Sequence, residues 1–215
     1  MKIPSNFILS IKPKGYLTQG LSHCGAYSVK AILSAYRLDK ITHPKDYHPV
    51  WIGKLTGLTL GKNYYVNILK SYGVDSEIKT AENLSNNERL DLLKSLLAQD
   101  TPVMVRIGNG YIHSTKYNPI LGRIFIHWIT LWGYDDRKQI FYVYDSAMLK
   151  KHWSKNNPIG NTTRTYKEIL RDWNFGKWHP LNWIVIPKNF VYIKINPYLT
   201  GLARMRDLRK KRANK

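Results

Sequence analysis

Between Cys24 and Arg37 the apolar residues Ala26, Val29, Ile32, Leu33 and Tyr36 recur at the spacing of one helical face. Ser22 or His23 stands at the cap position of that helix, and Gly25 keeps its first turn slim. The residues before it, 1–21, read as an extended or irregular lead-in broken by Pro4, Pro13, Gly15 and Gly20. Residues 39–58 read as turn-rich around Pro44 and Pro49. Thr59 is placed to cap a helix over Lys62–Ser71 that ends at Gly73, and a short strand near Val74–Lys79 precedes a helix from about Asn86 to Ala98. Beyond that point the period changes from helical to alternating, and Pro102–Ile107, Arg123–Gly133 and Gln139–Asp145 carry the branched and aromatic residues of strands. Asp135, Asp136, Arg137 and Lys138 supply turn chemistry between the last two, which makes them a hairpin. A short helix over Thr165–Trp173 and strands at Trp183–Pro187 and Phe190–Ile195 complete the pattern. Helices first and an antiparallel sheet second describe an α+β chain. No repeat or linker divides it, so the texture change near residue 100 separates two parts of one domain, a helical part over about 1–100 and a sheet part over about 101–200.

Composition adds constraints rather than elements. At 215 residues, with 43% hydrophobic and 22% charged positions, the chain has the material for a packed core and not the profile of disorder. No apolar run approaches the roughly 18–20 residues of a membrane helix. The opening MKIPSNFILSIKPKG has neither a real apolar signal core nor a small-residue cleavage site. The expectation is a mature chain starting at Met1, cytoplasmic or exported without a cleaved signal peptide. A net charge of +20 favours anionic partners, nucleic acid or acidic membrane. A solvated surface reflecting a Lys-, Asn-, Ile- and Tyr-rich bias explains the same charge. The basic residues are densest over 201–215, where Arg204, Arg206, Arg209, Lys210, Lys211, Arg212 and Lys215 form a basic tail. No zinc-finger spacing, RNA-recognition signature or phosphate-binding loop accompanies them.

A single cysteine, Cys24, excludes an internal disulfide and leaves either a buried spectator or a reactive thiol. Most lone cysteines are small buried hydrophobes. Cys24, however, sits at the start of a predicted helix, where free N–H groups and the positive dipole end favour a thiolate, and Ser22, His23 and Gly25 beside it are small or polar. A thiol nucleophile needs a base, and the base needs an orienting group. His127 lies mid-strand among Ile126, Trp128, Ile129 and Leu131, the usual setting of a satisfied core histidine; Asp145 ends the next strand, the usual setting of a turn former. Adjacent hairpin strands bring the two together, which raises both as candidates. Gln19, five residues before Cys24, has a side-chain amide suited to an oxyanion. His113 in GNGYIHST is the rival base, read otherwise as a solvent-facing loop histidine. His23, Cys24, His127 and Asp145 include metal-ligating types, but without paired spacing no metal or other cofactor is expected. Of the tryptophans, Trp173, Trp178 and Trp183, with Phe175, Lys177 and His179, form the best candidate for an exposed aromatic surface.

These segments resemble the C39-like cysteine peptidases of the papain-like fold. TQGLSHCGAYSVKAIL is similar to the Gln…Cys-Gly-Ala/Pro opening of papain-fold enzymes, and QDTPVMVRI to the helix followed by a Pro-Val strand. FIHWITLWGYDDRKQIFYVYDSA resembles the His strand, the Gly-Tyr-Asp-Asp turn and the Asp-ending strand, and TGLTLGKNYYVNILKSYGVDSEI the intervening helix. The resemblance runs in order from about Tyr16 to Pro187. It implies Cys24 as nucleophile, His127 as base, Asp145 as orienter and Gln19 as oxyanion donor, and a peptide or protein substrate. The departures are His23 where the family usually has Asp or another small polar residue, a Gln-to-Cys gap one residue tighter, and Ser146 in place of a frequent Pro. The leader peptidases of the family are commonly fused to an export ATPase, which these residues do not include. The expected activity is hydrolysis of a peptide or related amide through a thioester. Deamidation or acyl transfer to an amine would use the same groups, and a catalytically idle module binding nucleic acid or anionic membrane is the alternative of another class.

Overall fold

The computed structural model describes residues 3–59, 61–111, 116–175 and 188–196. His113, the strand expected at Trp183–Pro187, the residues Lys177, Trp178, His179 and Trp183, and the basic tail lie outside the described residues. In chain order the elements are β1 (Asn6–Ile8), α1 (Cys24–Ala35), α2 (Trp51–Thr56), α3 (Tyr64–Ser71), β2 (Ser76–Thr80), α4 (Asn86–Leu97), β3 (Val103–Gly108), α5 (Leu121–Ile124), β4 (Ile126–Asp135), β5 (Ile140–Tyr144), β6 (Thr162–Thr165), α6 (Tyr166–Trp173) and β7 (Val191–Ile195). Short 3₁₀ turns cover Pro44–Tyr47 and Lys150–His152. The α+β class holds. No described helix is long and apolar enough to cross a membrane.

The strands form one antiparallel sheet in the order β2-β7-β3-β4-β5-β6, with β1 also paired to β4. β1 and β2, from the helix-rich first half, are therefore members of the same sheet as the strands of the second half. Every residue of β3 is buried, and so are eight consecutive residues of β4, as expected for strands covered on both faces. One apolar cluster joins Val29, Ile32 and Leu33 of α1 and Leu69 of α3 to Met104 and Trp128. The other joins Leu93 and Leu97 of α4 and Ile169 and Trp173 of α6 to Val105, Ile129 and Leu131. The alternation Met104/Val105 and Trp128/Ile129 between the two clusters is the two-residue period of the sheet.

Local chemistry explains several boundaries. α4 and α6 each begin with a capping box: Ser85 accepts from the Glu88 N–H while Glu88 accepts from the Ser85 N–H, and Thr165 and Glu168 repeat the exchange. Gly133 is required where β1 crosses, because a Cβ there would run into the Phe7 carbonyl. The β4–β5 ladder shifts register between Leu131 and Gly133, so Trp132 is the extra residue of a bulge.

Several sequence readings need correction, among them the exposed aromatic surface, whose described members Trp173 and Phe175 are buried. The turn-rich stretch contains α2, a helix too short to show a period. Thr59 does not cap the next helix, which starts at Tyr64 with Asn63 at its N-cap and no side-chain cap. The strand expected from Arg123 begins at Ile126, because Leu121–Ile124 form one helical turn closed by the Phe125 N–H on the Leu121 carbonyl. β6 was not expected at all: its TTRT sequence has no apolar alternation.

Candidate active site

Cys24 is the first residue of α1 and is partly exposed. His23, its N-cap, is left-handed at φ 76°, and no side chain caps the helix. The expected cap by Ser22 or His23 is absent for a specific reason. The His23 ring turns toward α2, donating from Nε2 to the Lys54 carbonyl at 2.9 Å and accepting the Ser22 hydroxyl at Nδ1 at 2.6 Å. The first N–H groups of α1 are thereby left open beside the sulfur, at the positive end of the helix. Gly25 lets the buried Tyr65 ring lie against this first turn, since a Cβ would overlap it. Burial pushes the Tyr65 phenol well above its ordinary range, and the nearby Cys24 sulfur adds to the shift.

His127 is the second residue of β4 and is buried. Thr130 pairs with Tyr144 and Leu131 with Val143; continued by one residue, that register sets Asp145 opposite Ile129. Asp145 is then diagonal to His127 on the same face of the hairpin, within side-chain reach. His127 Nε2 donates to Asp145 Oδ1 at 2.8 Å. The Cys24 sulfur acts on the same ring, and with Nε2 given to Asp145 the nitrogen left for it is Nδ1. Burial pulls the imidazole down, but the Asp145 carboxylate and the Cys24 sulfur together push it up to about 10. Burial likewise favours the neutral acid at Asp145, yet His127 and Arg164 hold it well below the usual carboxylate range.

Asp145 is held from every side. Its second oxygen accepts from Arg164 at 2.7 Å, and Oδ1 also accepts the Ala147 N–H at 3.0 Å. Its backbone is clamped by Asn161, which accepts the Asp145 N–H and donates to the Asp145 carbonyl, both at 2.8 Å. Arg164 is itself buried and lies over the Tyr111 ring at 3.9 Å. Gln19, also buried, receives the Ser146 hydroxyl on Oε1 at 2.5 Å, while its N–H donates to the Ser146 carbonyl at 2.8 Å. With the carbonyl end occupied, the Gln19 amide nitrogen is the end left to donate elsewhere. Behind His23, buried His48 meets its ring edge-on at 5.2 Å and contacts the Tyr64 hydroxyl at 2.8 Å. Burial, reinforced by His23, lowers His48 to about 4.

The structure thus brings Cys24, His127 and Asp145 together, His127 hydrogen-bonded to Asp145 and Gln19 tied to the residue after Asp145. Sequence reasoning missed Arg164, Asn161 and His48. Arg164 carries the only available sign, a basic residue in a short Thr-rich run directly before a helix cap. That sign points to a strand edge and not to a carboxylate 19 residues earlier.

A family model described as Peptidase_C39 like family matches residues 9–173, more than half of the chain. No curated protein matches the sequence. Among solved structures, the chain is similar to a double glycine motif protease from an AMS/PCAT transporter, crystallised in complex with the leader peptide. That pair is 13% identical, with 88% of this chain and 94% of that chain covered and a TM-score of 0.47. It is also similar to UfSP from C.elegans, 13% identical, covering 92% of this chain but only 35% of that one, with a TM-score of 0.51. At such identity the likeness concerns the fold, which is papain-like.

Proposed function

Because the chain belongs to the Peptidase_C39 like family, we propose that it is a cysteine hydrolase in which Cys24 attacks a peptide or related amide carbonyl. His127 serves as the proton carrier and Asp145 orients it. The observation that supports this most directly is the buried His127 ring, hydrogen-bonded to the Asp145 carboxylate and near enough to Cys24 for the sulfur to help raise its pKa.

His127 Nδ1 takes the Cys24 proton, and the charge is stabilised by the uncapped first turn of α1 and by Asp145 through Nε2. The thiolate adds to the carbonyl carbon; the resulting oxyanion is held by the Cys24 N–H and the Gln19 amide nitrogen. The C–N bond breaks as the imidazolium returns its proton to the leaving amine, leaving a thioester on Cys24. Water then gives a proton to His127 and its hydroxyl to the acyl carbon, and the thiolate departs as the acid is released.

The test is the labelling rate of Cys24 by iodoacetamide near pH 6, where an ordinary thiol is almost wholly protonated. The native chain should label rapidly and His127→Ala about 100-fold more slowly. Cleavage of a peptide library should disappear in Cys24→Ala. Labelling no faster than a free thiol, or only after unfolding, defeats the reading.

A further inference from the structure

α2 hides almost nothing. Every residue of Trp51–Thr56 except Gly53 is exposed, and its apolar members are no exception. Trp51 and Leu55 are each 72% exposed, with Val50, Ile52 and Leu58 beside them at 47%, 36% and 50%. Leu21, 90% exposed, joins the same surface, because the Ser22 side chain lies against Gly57 and His23 is bonded to the Lys54 carbonyl. A contiguous apolar surface of this kind marks a contact site.

Its shape and charge indicate the partner. A groove that receives a peptide is lined by half-buried side chains, whereas these stand out as a ridge. A fluid bilayer accepts a convex apolar ridge without a complementary mould. Around it, Lys40, Lys45, Lys54 and Lys62 are all exposed, and Asp46 is the sole acid between residues 40 and 63. Exposed Trp and Leu interleaved with Lys is the composition of segments that settle at an anionic membrane interface. We propose that the ridge formed by Leu21, α2 and Leu58 docks the protein on an anionic lipid bilayer. His23 links the ridge to Cys24, so docking sets the sulfur at the membrane surface. That last consequence, a substrate amide anchored at or near the bilayer, rests on the hydrolase reading; the docking itself does not.

Flotation of the full chain with phosphatidylcholine vesicles, with and without phosphatidylglycerol, tests it. At about 0.5 M NaCl the screening length falls to about 4 Å, so charge alone, including that of residues 201–215, contributes little. The native chain should still partition onto the phosphatidylglycerol vesicles there, more weakly than at low salt, where it should also prefer them to vesicles without the anionic lipid. Leu21→Ser/Trp51→Ser/Leu55→Ser should partition at least about tenfold less at high salt with an unchanged thermal melt. Should the triple variant fold poorly, Leu21→Ser alone, at a side chain with almost no packing to lose, should give a smaller loss of the same sign. Cys24→Ala should float like the native chain, which separates this proposal from the chemistry. Equal partition of native chain and variants overturns docking by the ridge, as does native chain that fails to float. Self-association abolished by the triple variant, or an apolar peptide that binds the ridge of a chain that does not float, would assign it to another occupant and equally overturn the proposal.

Discussion

Arg164→Met should destabilise the protein by about 2–4 kcal/mol, although it leaves the backbone pairing of β6 in place. The guanidinium is buried and donates to Asp145 Oδ2 at 2.7 Å. Removing one partner of a buried ion pair costs about 3–5 kcal/mol, because the other charge is left uncompensated. Asp145 retains His127 and the Ala147 N–H on its other oxygen, which lowers the expectation toward the bottom of that range. Met preserves most of the apolar stem, so a cavity contributes little, although the guanidinium that lies over Tyr111 is lost. For a chain of this size about 2–4 °C accompanies each kcal/mol, and the melt should fall by about 5–15 °C. Urea denaturation of the native chain, Arg164→Met, Asp145→Asn and the double variant at about pH 6 gives the coupling between the two side chains. We expect at least about 1.5 kcal/mol, since the double variant removes both buried charges together. Coupling within about 0.5 kcal/mol of zero would refute the assignment of Arg164 as the counter-charge that keeps Asp145 ionised.

Other consequences are equally direct. His127 is raised from 6.5 to about 10 in the folded chain, so its stabilisation is complete below about pH 6.5 and is lost as pH rises toward 10. Asp145 is depressed, so its share is present above about pH 4 and lost in acid. The urea midpoint should therefore be higher near pH 6 than near pH 9, falling by at most about 1.4 kcal/mol per pH unit from this group, and the fall should flatten in His127→Ala. Gly25→Ala should cost about 1–3 kcal/mol and slow Cys24 labelling, because the new methyl overlaps the buried Tyr65 ring; a native melting temperature would contradict that packing. Ser146→Ala frees the carbonyl end of Gln19 and should lower kcat up to about tenfold with KM unchanged, while Ser146→Thr restores it; unaltered turnover would remove Gln19 from the reaction.

The parts of the fold that were legible in the sequence are those whose pattern is imposed by burial. α1 shows its period because ten of its twelve residues are buried, and β4 and β5 show theirs because they lie at the centre of the sheet. The hairpin was legible and brought His127 and Asp145 near each other, but the face they share depends on the bulge at Trp132, without which Asp145 would stand opposite Thr130, and no local spacing shows that bulge. α2 stayed invisible because an exposed apolar helix of six residues has no buried face to impose a period. β6 stayed invisible because its pairing with β5 is carried by backbone and by Thr and Arg side chains. Arg164 was hidden for a further reason. Its role depends on β6 lying beside β5, a tertiary fact that no local spacing encodes. The absence of a cap at His23 was equally unreadable, since it depends on the Lys54 carbonyl of α2 being near.

β7 comes last among the described strands yet lies inside the sheet, between β2 and β3. Val191–Ile195 pairs with Ser76–Thr80 on one side and, over its second to fourth residues, with Val103–Val105 on the other. Both partners are complete more than eighty residues earlier in the sequence. A chain still being synthesised, or one cut before residue 188, therefore holds Cys24, His127, Asp145 and Arg164 but carries two open strand edges where the sheet should be continuous. Such edges invite pairing with other chains. The long separation also makes the closing step slow relative to the hairpin that carries His127 and Asp145. The keystone of this sheet is the latest of its described strands, so a thiol at Cys24 waits for its complete setting on residues 191–195.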